Sequence, residues 1–131
     1  MKRIALVFAL VAAALTAAAA LATARGLTPG VYQTKVAGAR VAVLNGTWKV
    51  ALAGPAFTIY RNNVTAVAGT STVVGTKVTF HDLAGTFACK GAQAIGTYIA
   101  TLTGTKLTFK AVSDSCAGRK LVLSYTYTKI A

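Results

Sequence analysis

Glutamate is missing from this chain, and aspartate occurs only at Asp82 and Asp114. Reactions that need a pair of catalytic carboxylates, such as glycoside hydrolysis, have almost nothing to be built from. Histidine occurs once, at His81. A His81-Asp82 half-triad would need a nucleophile from Ser71, Ser113, Ser115 or Ser124, and none of these sits in a G-x-S-x-G elbow. The two cysteines, Cys89 and Cys116, would need further ligands to hold zinc, and only His81 and the two aspartates are on offer. After Gly26 there is no sustained helical period. These absences argue against an enzyme, a metal centre and a cofactor.

What is present begins with MKRIALVFALVAAALTAAAALATARG. Lys2 and Arg3 form a positive start, Ile4 to Leu15 an apolar stretch, and Ala22-Thr23-Ala24 a small-residue cleavage site, the layout of a secretory signal peptide. A retained membrane anchor is the competing reading, because the apolar run is about long enough to span. Its alanine richness and its cleavage signature favour removal. Residues 1–24 then form the signal and 25–131 one domain. Taking Lys2 and Arg3 from the 14 basic residues leaves 12 against two aspartates, a net charge of +10. Such a charge suits anionic surfaces. The basic residues are scattered, and only Arg119-Lys120 are adjacent, so a dedicated nucleic-acid site is not expected. Export also makes a Cys89–Cys116 disulfide the default, worth roughly 3 kcal/mol in the loop-entropy model.

The rest of the chain is rich in Val, Thr, Tyr, Ile and Phe, cut by glycines, which is strand vocabulary. Strands are expected at Val31–Val36, Thr47–Leu52, Phe57–Arg61, Val64–Ala68, Thr70–Val74, Lys77–His81, Thr97–Thr103, Lys106–Val112 and Lys120–Thr128. Gly54-Pro55, Asn62-Asn63, Gly75-Thr76 and Gly104-Thr105 are short turns that make antiparallel hairpins. Two hairpins repeat a pattern, GTKVTF at 75–80 and GTKLTF at 104–109. Apolar residues alternate with Thr and Lys along most segments, as in half-buried strands. About eight or nine such strands must curl to bury one face, as a closed up-and-down barrel or a tight sandwich.

At Asn45 to Val50 the run NGTWKV resembles the G-x-W signature on the first barrel strand of the calycins, the superfamily of lipocalins, fatty-acid-binding proteins and avidins. The ordered set GTW, FTIYRNN, GTKVTFHDLAG and GTYIATLTGTKLTFKAVSDSCAGRKLVL is more specifically similar to small exported lipocalin-like bacterial proteins. These combine a G-T-W start, a G-x-Y strand and a D-x-C-x-x-R turn before the last strand. The likeness covers Val31 to Lys129, with Ile99-Ala100 where a tryptophan often follows and Lys129 where an arginine is usual. It implies an all-β, lipocalin-like barrel of about eight strands. It also implies that Trp48 packs across one end beneath a basic side chain of the last strand, Lys129 or Arg119.

Asp114, Cys116 and Arg119 fall on that last motif. A structural clasp explains them, with Cys116 tied to Cys89 and Arg119 gripping Asp114 bidentately. Trp48, Phe80, Tyr98, Phe109, Tyr125 and Tyr127 are the inward aromatics. They are either plain core or the walls of a cavity with tyrosine handles. The first function expected is a secreted, non-catalytic, monomeric binder of a small apolar or amphipathic molecule. Its pocket would open away from Trp48, with Tyr98 and Tyr125 as handles, Phe80 and Phe109 as walls, and Arg61 as partner of an acidic head group. The alternative is a structural or interaction module of the cell exterior with a filled barrel: an inhibitor, an adhesin or a polyanion binder.

Overall fold

The computed structural model describes residues 27–131. The expected signal peptide and cleavage site lie outside them. Eight strands follow one another around a closed, wholly antiparallel barrel in which each pairs with its sequence neighbours and β8 returns to β1. They are β1 Gly30–Val36, β2 Gly46–Ala53, β3 Ala56–Arg61, β4 Val64–Val74, β5 Lys77–Ala84, β6 Ile95–Thr103, β7 Lys106–Ser113 and β8 Tyr127–Lys129; a helix, α1, spans Ala117–Leu123 between the last two.

The turns set the shape. Gly54, Gly75 and Gly104 take φ near +60° at the first position of two-residue connections, where a side chain would be strained. Asn62 and Asn63 both have positive φ, as a type I′ hairpin turn requires. Three of these turns, at 54–55, 75–76 and 104–105, lie together at one end of the barrel with the start of β1 and the C-terminus. The longer connections, 37–45, 85–94 and 114–126, lie at the other end with the Asn62-Asn63 turn. We call the latter the loop end.

Alternation explains the core. Val50, Val78, Phe80, Tyr98, Leu107 and Tyr127 point inward and are almost wholly buried, while Lys77, Lys106, Thr108 and Lys110 of the same strands stay exposed. The segments expected as separate strands at Val64–Ala68 and Thr70–Val74 form one strand, β4. Its register shifts between Ala68 and Gly69, where a Cβ on Gly69 would stand 2.8 Å from the Phe57 ring. The glycine marks a bulge inside a strand, not its end.

The expected strand Lys120–Thr128 is the main correction. Ala117–Leu123 is helical, and only Tyr127–Lys129 pairs as strand. The buried residues Arg119, Val122 and Leu123 follow the i, i+3, i+4 spacing of a helix face. So short a helix depends on tertiary contacts. Val122 and Leu123 join the core cluster, and α1 packs on β7. Strand β8 meets β1 only at Tyr32–Lys129 and Gln33–Thr128, and β7 only at Lys106–Thr128 and Leu107–Tyr127. Closure is therefore narrow, and α1 covers the loop end where β8 is absent.

Candidate functional site

The loop end holds two side-chain assemblies. The first centres on Arg119. Its Nε donates to Asp114 Oδ2 and its Nη2 to Asp114 Oδ1, both at 2.7 Å, the two-pronged pair expected of these residues. Nη2 also donates to the Gln93 carbonyl and Nη1 to that of Ala94. Nη1 lies 3.1 Å from Asp82 Oδ2, which accepts the Cys89 N–H. Asp114 Oδ1 also accepts the Cys116 N–H, and the Tyr98 hydroxyl donates to Asp114 Oδ2. Cys89 and Cys116 stand at disulfide distance, their Cα atoms 6.3 Å apart. The knot therefore ties β5, β6, the 85–94 connection and α1 together. Asp82 Oδ1 is its one buried side-chain oxygen without a partner among the described residues.

Burial alone would raise the Asp114 carboxyl. Hydrogen bonds from Arg119, Tyr98 and the Cys116 N–H, with the Arg119 charge, outweigh that and hold it below the ordinary carboxylate value. Burial pushes the Tyr98 phenol up, and the Asp114 hydrogen bond and charge add to this. Burial would lower Arg119, but the bond to Asp114 and the charges of both aspartates raise it further above its usual value. The arrangement is a clasp. Its side chains are 0–4% exposed, and every guanidinium nitrogen already has a partner.

The second assembly centres on Trp48. Its indole N–H donates to the Leu44 carbonyl at 2.8 Å, and its ring meets Phe87 edge to face at 5.4 Å. Arg61, paired across the sheet with Trp48, lies 5.8 Å from the Phe87 centroid, within cation–π range. Its Nε and Nη2 donate to the Asn45 carbonyl. The glycine of the G-T-W run has its own reason here. Gly46 has φ +140°, and a Cβ would stand 2.7 Å from Asn62 Oδ1, which accepts the Thr47 N–H.

The expected basic cover of Trp48 needs correcting. Lys129 leans the other way, for a Cβ on Gly30, at the start of β1, would stand 2.9 Å from its Cε. Arg119 shares the loop end with Trp48 but is bound to the two aspartates. The ring against Trp48 is Phe87. It lies in a connection with no periodic pattern, and no signal in the sequence singled it out.

Phe80, Phe109 and Tyr98 do meet inside the barrel, but against one another. Phe57–Phe80, Phe80–Phe109 and Phe109–Tyr127 stand at 5.1, 5.8 and 6.0 Å, with Tyr98 at 6.0 Å from Phe80 and 6.3 Å from Phe109. All five contacts are edge to face, the geometry aromatic pairs prefer. The chain of rings from β3 to β8 crosses the interior. The buried phenols are also engaged: Tyr98 with Asp114, Tyr127 with the Val122 carbonyl, and Tyr32 with the Thr28 carbonyl. Tyr125 lies between α1 and β8, half-buried, and is not on a barrel strand. Of the expected pair of handles, Tyr98 therefore stands on β6 and Tyr125 in the connection before β8.

Among the described residues, two grooves open at the loop end. One groove of about 490 Å³ runs past His81, Asp82 and Lys90. Another of about 330 Å³ lies between Arg61, Val64, Ala66 and Phe87. No family model, curated protein or solved structure matches the chain. The class that the fold defines is the eight-stranded, all-antiparallel, up-and-down β-barrel, an architecture compatible with a lipocalin-like fold.

Proposed function

We propose that this is an exported, non-catalytic lipocalin-like module that acts through its exterior, with its loop end against an anionic surface. The observation that supports this reading is the chain of aromatic rings, packed edge to face on one another, that crosses the interior where a lumen ligand would sit. The exterior fits an anionic partner. Asp82 and Asp114, the only two acids, are buried in the Arg119 knot, so the outer face has cations without carboxylates to offset them. Of the eight large apolar side chains exposed among the described residues, Val41, Val43, Val64, Leu83, Ile95 and Val112 lie at the loop end. Lys90, Lys120 and Arg40 are exposed on the connections and the helix of the same end. Apolar tips among cations suit an anionic lipid surface, where both kinds of contact add.

Sedimentation with vesicles tests this. Vesicles containing phosphatidylglycerol should bind the oxidised protein, purely zwitterionic ones should bind at least tenfold less, and rising salt should weaken the association. Equal binding to both, or saturable binding of a fatty acid that perturbs Phe109 and Tyr127, would count against it.

A further inference from the structure

The groove beside Phe87 has features that a general cationic surface does not need. Arg61 is half-buried, and a half-buried guanidinium needs acceptors around its fork. Asn45 supplies one carbonyl, to Nε and Nη2. Among the described residues nothing accepts from Nη1. No side-chain carboxylate is free to do so, because both aspartates sit in the Arg119 knot. The Nη1/Nη2 edge is the edge that takes a carboxylate with two parallel hydrogen bonds. Beside it stand the Phe87 ring, Val64 and Ala66, with Thr65 and Thr86 at the polar margin of the same groove of about 330 Å³. That volume is at the lower end of small-molecule sites. The Phe87 ring is held edge to face by Trp48, with the Arg61 guanidinium over it.

We infer that this groove is a binding site for an organic carboxylate carrying a flat apolar body, with Arg61 taking the carboxylate and Phe87, Val64 and Ala66 the body. The site rests on the reading that ligands are met outside the lumen, and narrows it to one place and one chemistry. The side chain of Trp48, the single tryptophan of the chain, serves as its reporter through Phe87.

The test is a nuclear magnetic resonance titration of the oxidised, secreted protein with 1-naphthoate, beside the neutral 1-naphthamide. Expected are saturable shifts of the Arg61 Nε–H, the Phe87 backbone and the Trp48 indole N–H, with the amide at least tenfold weaker. Arg61→Gln should weaken naphthoate at least tenfold. Because Arg61→Gln also removes the bonds to Asn45, Thr86→Phe supplies a second variant: it fills the exposed side of the groove, leaves Arg61 in place, and should weaken naphthoate similarly. Equal affinity for acid and amide, shifts spread over the lysines without saturation, or undiminished binding in Thr86→Phe would each overturn the site. Naphthoate failing while anionic vesicles still bind removes this site and leaves the proposed function standing. Vesicle binding failing while naphthoate still docks at Arg61 does the reverse.

Discussion

Gly96 lies flat against the ion pair of Asp114 and Arg119: a Cβ placed on it would stand 2.7 Å from Arg119 Nη2 and 2.7 Å from Asp114 Oδ2. Its backbone is extended within β6, so the requirement for glycine is one of space alone. Gly96→Ala should force the bidentate pair apart. An ion pair separated while still buried is costly, and overpacking alone typically costs about 1–3 kcal/mol. A chemical denaturation midpoint indistinguishable from wild type would mean that the knot can yield.

Removing the cation tests the same knot from the other side. Arg119→Met leaves two buried carboxylates facing each other without a counter-charge. The expected loss is about 3–5 kcal/mol, the range for breaking a buried pair by deleting one partner. Asp114→Asn should cost less, because Arg119 keeps Asp82 as a neighbour 3.1 Å away. Urea melts of the two variants give the order.

The pH dependence follows with a definite sign. Asp114 is held below its ordinary value in the fold. Its contribution is therefore present above the unfolded carboxylate value of about 3.9 and is lost as pH falls through the lower folded value. Stability should drop below about pH 4, and Asp114→Asn should flatten that limb. Tyr98 and Tyr127 are raised above 10.0. Their contribution is full below that value and is lost as pH rises past it, where the unfolded phenols ionise first. Alkaline unfolding should set in above about pH 10, with phenolate absorbance appearing together with the loss of β-structure.

The barrel was legible in the sequence because alternation and two-residue turns act locally. Each hairpin, from Gly46–Ala53 with Ala56–Arg61 onward, declares its own pairing. Asp114 and Arg119 were legible as a clasp because so few acids left little choice of partner. The last strand was misread because Leu121, Leu123, Tyr125 and Tyr127 share a parity, whereas Arg119, Val122 and Leu123 share a helix face, and over so short a run the two periods compete. The place of Lys129 over Trp48 rested on the resemblance, which carries no distances. The outcome of the inward aromatics was not legible at all. Whether rings line a space or close it depends on distances across the barrel, such as Phe80 to Phe109, that no periodicity encodes.

The Cys89–Cys116 pair spans 27 residues and joins the connections on either side of the Arg119 knot. Reduction, or the double change Cys89→Ala with Cys116→Ala, should lower stability by roughly 3 kcal/mol. The effect should overlap with that of Arg119→Met rather than add to it, because both act on the same segment. A double-mutant cycle measures the overlap, and strict additivity would show that the disulfide and the knot hold the loop end independently.

If the rings fill the barrel, taking one out should make the space that the native protein lacks. Phe109 is the ring to remove, since it touches Phe80, Tyr98 and Tyr127 at once and belongs to the core of β7. Phe109→Ala should cost about 3–5 kcal/mol, the lost transfer energy together with the cavity left behind. Rings held edge to face from three sides cannot all move inward to close it. The residual space should be apolar and dry, and such cavities take small apolar guests. Benzene should therefore raise the melting temperature of Phe109→Ala and leave that of the native chain unchanged. If benzene stabilises the native chain equally, the interior is open and the lumen becomes the binding site. If it stabilises neither and the variant loses little stability, the barrel has collapsed around the gap. The observed pattern decides whether this fold is a container or a solid scaffold for its loop end.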